Sequence, residues 1–296
     1  VTVLRPDRLA DALAALAGDP APTVLAGGTD LMVEVNYGQR RLGDVLTLRD
    51  LDELRAWRVE PGTHGAADEL VLGAAITYTA LLGAGLAGLV PALAQAARTV
   101  GGPQIRNTGT IGGNLATGSP AGDTLPVLVA QGARVELAAS EGRRTLPVAD
   151  FLRGPKLTAL TPDELVVAVR IPLVRGPAEF LKVGVRNAMV IAVANCALVV
   201  DRDRRTLGCA LGSVGPVPVR DLGAEAWVTD RLDWDGGTPP DPRVLDEFGR
   251  RMAATCRPID DHRATAAYRR HAAGVMARRA LARAWTPGAG TGAEAA

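Results

Sequence analysis

Apolar positions along the chain come in short blocks punctuated by glycine and proline, and the first blocks alternate between helix and strand. Leu9 to Leu16 is rich in alanine and leucine and reads as a short helix ending near Gly18-Asp19-Pro20. Thr23 to Ala26 reads as a short buried strand, and Gly27-Gly28 as a sharp turn. Leu31 to Tyr37 is the next predicted helix, with Thr29-Asp30 as its cap and Gly38 as its stop. Asp44 to Leu48 is a further strand, so residues 1–55 predict a small α-β-α-β unit with parallel strands.

Residues 56–177 predict a second, α+β unit. Leu70 to Ala74 is a strand, Thr77 to Leu81 opens a helix, and Pro91 to Arg98 is an alanine-rich helix. Thr124 to Ala130 is helical, and Ala133 to Ala138 and Leu165 to Ile171 alternate as strands. Thr145 to Val148 and Asp150-Phe151 lie between those strands as edge and loop. From Phe180 the pattern changes: Phe180 to Val185, Ala194 to Val200 and Thr206 to Val214 open a third unit over 178–285. A loop rich in Pro, Asp and Gly runs from Asp233 to Pro242, and helices at Arg243 to Thr255 and Arg263 to Ala284 close the unit. Residues 286–296 read as a disordered tail.

Composition narrows the classes. The chain is 47% hydrophobic but only 3% aromatic, so its cores are built from small aliphatics, which suits sheets covered by helices. The 33 basic and 32 acidic residues nearly cancel, which leaves no electrostatic case for nucleic acid. The longest nearly apolar stretch, Ala188 to Val200, is interrupted by Asn195 and falls short of the ~20 residues of a membrane span. The first residues lack the apolar block and cleavage site of a signal peptide, so a cytoplasmic protein is the expectation. Cys196, Cys209 and Cys256 form no C-x-x-C pair, are too few for an ordinary iron–sulfur cluster, and read as buried thiols. With His64, His262 and His271 they make no metal-ligand cluster.

Three glycine stretches invite a ligand. Gly83 to Gly88 fits G-x-G-x-x-G but lacks the strand before it and the acid after it, so it reads as a loop between elements. Leu25 to Leu31 has strand, turn and helix in order, and its N–H groups can meet a pyrophosphate without any Lys or Arg. Asp30 then reads as a cap or a ribose contact; taken alone, the stretch reads rather as a plain βα turn. The third, GTIGGNLATGSPAGD at 109–123, reads as a loop. There Gly109, Gly112 and Gly113 permit close approach, Thr110, Asn114, Thr117 and Ser119 offer hydrogen bonds, and Asp123 accepts them. Ile111, Leu115 and Leu125 anchor the run. Two anion-friendly turns in separate units suggest one large polar cofactor bridging both.

LAGGTDL at 25–31 followed by IRNTGTIGGNLATGSPAGDTLP at 105–126 resembles the FAD-binding (medium) subunit of the molybdenum hydroxylases, the family of xanthine dehydrogenase and carbon monoxide dehydrogenase. The likeness continues through LTPDELVVAVRIP at 160–172, FLKVGVRNAMVIAVAN at 180–195 and PIDDHRATAAYRRH at 258–271. It implies the vanillyl-alcohol-oxidase (PCMH)-type FAD fold: α+β, two α/β subdomains clasping FAD, then a C-terminal domain with a small antiparallel sheet and helices. By the resemblance Leu25, Ala26, Gly27, Gly28, Thr29, Asp30 and Leu31 meet the diphosphate. Thr110, Ile111, Gly112, Gly113 and Asn114 wrap the cofactor, with Asp123 alongside. Val166 and Lys182 lie near the flavin, Lys182 as a cation that favours its reduced form. Val100 falls where some relatives place an aromatic residue.

The family also implies the rest of the machine. Its substrate is oxidised at a molybdopterin cofactor on a large subunit, and electrons cross two 2Fe-2S clusters on a small subunit to FAD here and then reach an acceptor such as NAD. The implied assembly is a dimer of heterotrimers. A branch that carries an extra cluster on this subunit does not fit three scattered cysteines. The alternative reading is a stand-alone FAD-dependent oxidase or reductase of the same fold. Arg269, Arg270, Arg278, Arg279 and Arg283 on the last helix read either as a partner-docking face or as a solvated one, and Tyr268 and His271 as packing residues.

Overall fold

A computed structural model describes residues 1–63 and 66–286. His64 and the tail beyond Thr286 lie outside the described residues. The first unit is a three-stranded parallel sheet of β1 (Val3–Leu4), β2 (Thr23–Leu25) and β3 (Val45–Thr47), with β3 in the middle. Helix α1 (Leu9–Leu16) buries Leu9, Ala12, Leu13 and Leu16, the i, i+3, i+4, i+7 stripe of an amphipathic helix. Helix α2 (Leu31–Asn36) buries nothing, so the turn before it positions it rather than packing.

The second unit is a five-stranded antiparallel sheet. In chain order its strands are β4 (Trp57–Glu60), β5 (Glu69–Gly73), β6 (Arg134–Ala139), β7 (Gly142–Pro147) and, beyond the small hairpin of β8 (Leu152–Gly154) and β9 (Leu157–Thr158), β10 (Leu165–Pro172). The spatial order β4-β5-β10-β6-β7 puts β10 at the centre. Both faces of β10 are buried: Leu165 and Val167 join the core of the first unit, and Val166, Val169 and Ile171 join that of the second. A bulge between Val166 and Ala168 shifts its register against β6.

Helices α3 (Tyr78–Leu81), α4 (Ala84–Leu89), α5 (Pro91–Thr99), α6 (Pro103–Thr108), α7 (Ile111–Thr117), α8 (Thr124–Ala130) and α9 (Val148–Phe151) belong to this unit. Two of them correct the sequence reading. Gly83 to Gly88 is no loop, because Gly83 is the N-cap of α4. Nor is the run 109–123 only a loop, because its centre is α7, capped by the Thr110 side chain.

The third unit is an antiparallel sheet of β11 (Ala178–Val183), β12 (Ala194–Asp201), β13 (Thr206–Gly212) and β14 (Val219–Arg220). One face packs Ala197 and Val199 on the second unit, against α8, all of whose residues are buried. The other packs Cys196, Leu198 and Val200 on α10 (Leu222–Thr229), α11 (Pro242–Thr255) and α12 (Ala266–Ala284). On α5, the Gln95 side chain donates to Ala178 O (3.1 Å) and accepts from Phe180 N–H (2.8 Å), standing in for a strand at the edge of β11. Cys196, Cys209 and Cys256 are all buried. The arginines of α12 do not form one free face. Arg269 is buried and donates to Val193 O, Ser213 O and Asp261; Arg278 pairs with Asp246 and Arg283 with Glu179.

The turn that feeds β10 is held by one ion pair. Arg144 donates to Glu164 at 2.5 and 2.7 Å and to Ala159 O at 2.7 Å, while Thr161 N–H donates to Glu164. Arg144, and then Thr161, hold the Glu164 carboxyl at about 2, below its ordinary 4.5. A depressed carboxylate stabilises the fold above its unfolded pKa and loses that contribution as pH falls through the folded one. Arg144 is half exposed, so Glu164→Gln is expected to cost only about 1–2 kcal/mol at pH 7. In denaturant titrations that difference from wild type should shrink between pH 4.5 and about 2; a pH-independent difference would contradict the assignment.

Candidate functional site

A cleft of about 710 Å³ opens between the first unit and the second, with the β11–β12 connection at one end. Ala26 to Leu31, Gly113, Asn114, Asp123, Val166 and Lys156 all line it. The turn from β2 into α2 supplies its first wall. Gly28 takes φ +70°, a left-handed conformation that only glycine adopts without strain. Among the described residues, the N–H groups of Gly27, Gly28, Thr29, Asp30 and Leu31 find no acceptor within the chain. They form a patch of donors facing a cleft, which is what an anion needs. A Cβ on Gly27 would sit 1.9 Å from Thr108 O, so this turn presses on the backbone that leads into the second glycine run.

Asp30 stands at the N-cap of α2, as the sequence reading has it, but its side chain makes no capping hydrogen bond. Its carboxylate accepts from Lys156 Nζ at 3.3 Å, and Glu34 accepts from the same Nζ at 2.6 Å. Lys156, with Arg40 beyond it, holds the Glu34 carboxyl below its ordinary value. Lys156 stands between β8 and β9 with its N–H on Gly118 O (3.0 Å), and so reaches the turn from the second unit. The sequence offered no signal for it, because the partners are 126 residues apart.

The second glycine run is not a matching cradle of free amides. Ile111 N–H donates to Ile76 O (3.0 Å), Gly112 N–H to Ala74 O (2.9 Å) and Gly113 N–H to Thr110 Oγ1 (3.0 Å). Ile111 is fully buried in the core and does not reach the cleft. Gly112 lines the cleft and is small for packing as well: a Cβ there would lie 2.6 Å from the Ala74 Cβ and 2.7 Å from its carbonyl oxygen. Gly113 does face the cleft, where a Cβ would meet only Thr110 Oγ1 at 2.9 Å and Ala26 Cβ at 3.9 Å. The Asn114 Oδ1 accepts from Thr124 Oγ1 (2.7 Å), which leaves its N–H groups for the cleft.

Asp123 closes the inner end. Oδ2 accepts from Lys182 Nζ at 2.5 Å and Oδ1 from Asn195 Nδ2 at 3.0 Å, while Thr99 Oγ1 shares its one hydrogen between Ala96 O (2.8 Å) and Oδ2 (3.2 Å). Burial pushes this carboxyl above its ordinary value, against the pull of Lys182, Asn195 and Thr99. Burial and the nearby Asp123 also push the Tyr78 phenol up. Val100 and Val166 line the cleft and Lys182 does not: its ammonium pairs with Asp123. Thr99, Tyr78 and Asn195 escaped the sequence reading as site residues. Asn195 alone left a trace, as the polar interruption of an apolar run.

Among the described residues no His, Cys, Asp or Glu cluster could hold a metal ion, and no helix is long and apolar enough to cross a membrane.

Comparisons with known proteins agree over the whole described chain. The family described as "FAD binding domain in molybdopterin dehydrogenase" matches residues 1–174, and "CO dehydrogenase flavoprotein C-terminal domain" matches 179–284. The chain is 30% identical over 285 residues to the xanthine dehydrogenase FAD-binding subunit of Escherichia coli O157:H7, covering 93% of each. It is 35% identical over 287 residues to the carbon monoxide dehydrogenase medium chain of Afipia carboxidovorans, covering 95% of each. A crystal structure of Cu,Mo-CO dehydrogenase in its cyanide-inactivated form superposes with a TM-score of 0.84 at 32% identity, covering 96% of this chain and 97% of that one.

The two adjacent glycines of α7 separate packing from access. Gly112→Ala should cost about 2–4 kcal/mol, because the Ala74 backbone cannot yield. Gly113→Ala should stay within about 1 kcal/mol of wild type, since only a side-chain hydroxyl must shift. Thermal melts of the two variants check this; equal losses would sink the distinction.

Proposed function

Because the chain belongs to the family of FAD-binding domains of molybdopterin dehydrogenases, we propose that it is the electron-transfer subunit of a molybdenum hydroxylase, with FAD lying along the cleft. The members it resembles are dehydrogenase subunits, and the chain is an oxidoreductase subunit of that kind. The observation that carries the placement of FAD is the row of unengaged N–H groups at Gly27 to Leu31, in one cleft with Asp123.

The residues present fit the cofactor. A diphosphate needs clustered donors, which the first turn has. Lys156 offsets Asp30 and Glu34, the two carboxylates that would otherwise repel it. Ribityl and ribose hydroxyls need hydrogen-bonding side chains, and Asn114, Thr117 and Ser119 line the same cleft. A flavin edge needs an acceptor that does not swing, and Asp123 is held by Lys182, Thr99 and Asn195. Val100 and Val166 give the ring apolar contact, and Leu25 and Ala26 border the turn. Thr110 acts by capping α7. Ile111 acts behind the wall, Gly112 lines the cleft while packing on Ala74, and Lys182 acts through Asp123.

Bound FAD supplies the redox chemistry, accepting electrons singly or in pairs and passing them on as hydride. The chain's own contribution is to hold the cofactor, orient its ring and keep the buried end dry. The proposed donors are 2Fe-2S clusters of a small subunit, which carry electrons from a molybdopterin site on a large subunit, and the proposed acceptor is NAD. The names "medium chain" and "FAD-binding subunit" among the relatives support a multi-subunit complex; the proposed assembly is a cytoplasmic dimer of heterotrimers.

Gly113→Val should place a branched side chain in the cofactor's space and weaken FAD at least about tenfold, with a melting point within a few degrees of wild type. Flavin absorbance after gel filtration reads the occupancy, and normal occupancy would refute the placement. In the isolated complex, stripping FAD should abolish substrate-driven NADH formation while reduction of a dye by the upstream centres persists. Persistent NADH formation would refute the electron path.

A further inference from the structure

Lys182, Asn195 and Gly212 are register partners on three adjacent strands: Lys182 pairs with Asn195 across β11 and β12, and Asn195 with Gly212 across β12 and β13. The row runs under a carboxylate that belongs to a different unit. Lys182 takes one oxygen of Asp123, and Asn195 takes the other. Asn195 is fully buried, and its Oδ1 has no hydrogen-bond partner among the described residues. A buried amide with an orphan oxygen is destabilising by itself, so the site retains it against a cost. Gly212 is what admits it, because a Cβ there would stand 2.2 Å from that Oδ1.

We propose that Asn195, with Gly212 as the gap that admits its amide, is a positioning residue that fixes the Asp123 carboxylate at the FAD site. The inference rests on the reading that Asp123 faces the cofactor. The geometry leaves the amide no second orientation of equal value. Turned over, Asn195 would aim its oxygen at a carboxylate that already lacks water. As it stands, the amide N–H and the Lys182 ammonium bind separate oxygens, so the carboxylate can neither rotate about its own axis nor tip into the cleft. The third sheet thereby sets the position of a group on the wall of the first two units.

The test is a cycle on the full chain, using FAD as the probe and reading its dissociation constant, its visible absorption band and its midpoint potential. Asn195→Leu keeps the volume and removes the donor, while Gly212→Ala displaces the amide by its Cβ and leaves Asn195 itself unchanged. Each is expected to weaken FAD about tenfold or more, as the loss of a hydrogen bond to a charged group predicts, and to move both the band and the potential. In an Asp123→Asn background neither substitution should move them further. If Asp123→Asn alone changes nothing in the flavin, the underlying reading of Asp123 fails. If it changes the flavin but Asn195→Leu and Gly212→Ala do not, this inference fails alone. Effects that persist in the Asp123→Asn background, or that appear only in the melting point, would also overturn it.

Discussion

A carboxylate stripped of water costs several kcal/mol unless donors replace its hydration. Asp123 meets that demand with groups from separate parts of the chain. Thr99 comes from the end of α5, Lys182 from the first strand of the third unit, and Asn195 from the strand beside it. Thr99 shares the second unit with Asp123, but Lys182 and Asn195 reach it only when the second and third units have docked. Removing any one donor leaves a buried charge short of a partner, which is worse than having neither. The inner end of the cleft and the joint between two units are therefore one structure, and whatever loosens the joint loosens the cleft.

The outer end follows a similar logic with backbone in place of charge. Gly27 lies against the Thr108 carbonyl, and Gly112 against Ala74, so the glycines draw main chains together at distances no side chain permits. Gly27 and Gly112 thus serve contact between elements as well as lining the cleft, beside Gly28 and Gly113. An interior of small aliphatics suits this arrangement. Strand β10, buried on both faces, can pack two cores at once because Leu165 and Val167 fill one side and Val166, Val169 and Ile171 the other.

How much of this was legible in the sequence depends on the range of the cause. The parallel first unit and the turn at Gly27-Gly28 come from local pattern, and the structure has them at nearly the expected residues. Helix α7 was hidden because two adjacent glycines disfavour helix by about 1 kcal/mol each, yet the Thr110 cap and packing on Ala74 override them. Strand β4 was missed because Trp57, Arg58 and Val59 are exposed at a sheet edge and carry no burial pattern. Lys156 and the Lys182–Asn195–Gly212 row were beyond reach for a different reason: their meaning lies in tertiary register, which hydrophobic spacing does not encode.

The charged groups of the cleft carry a last consequence. Asp123 is engaged by Lys182 and Asn195 with the Thr99 hydroxyl beside it, Glu164 by Arg144 and Thr161, and Asp30 and Glu34 by Lys156. A general base needs a lone pair free to take a proton and a pKa near the working pH, and Glu164 at about 2 is far from it. Carboxylates so committed are poor at moving protons and good at staying where they are. That is the division of labour expected when a cofactor carries the chemistry and the protein supplies its place, its orientation and the field around it.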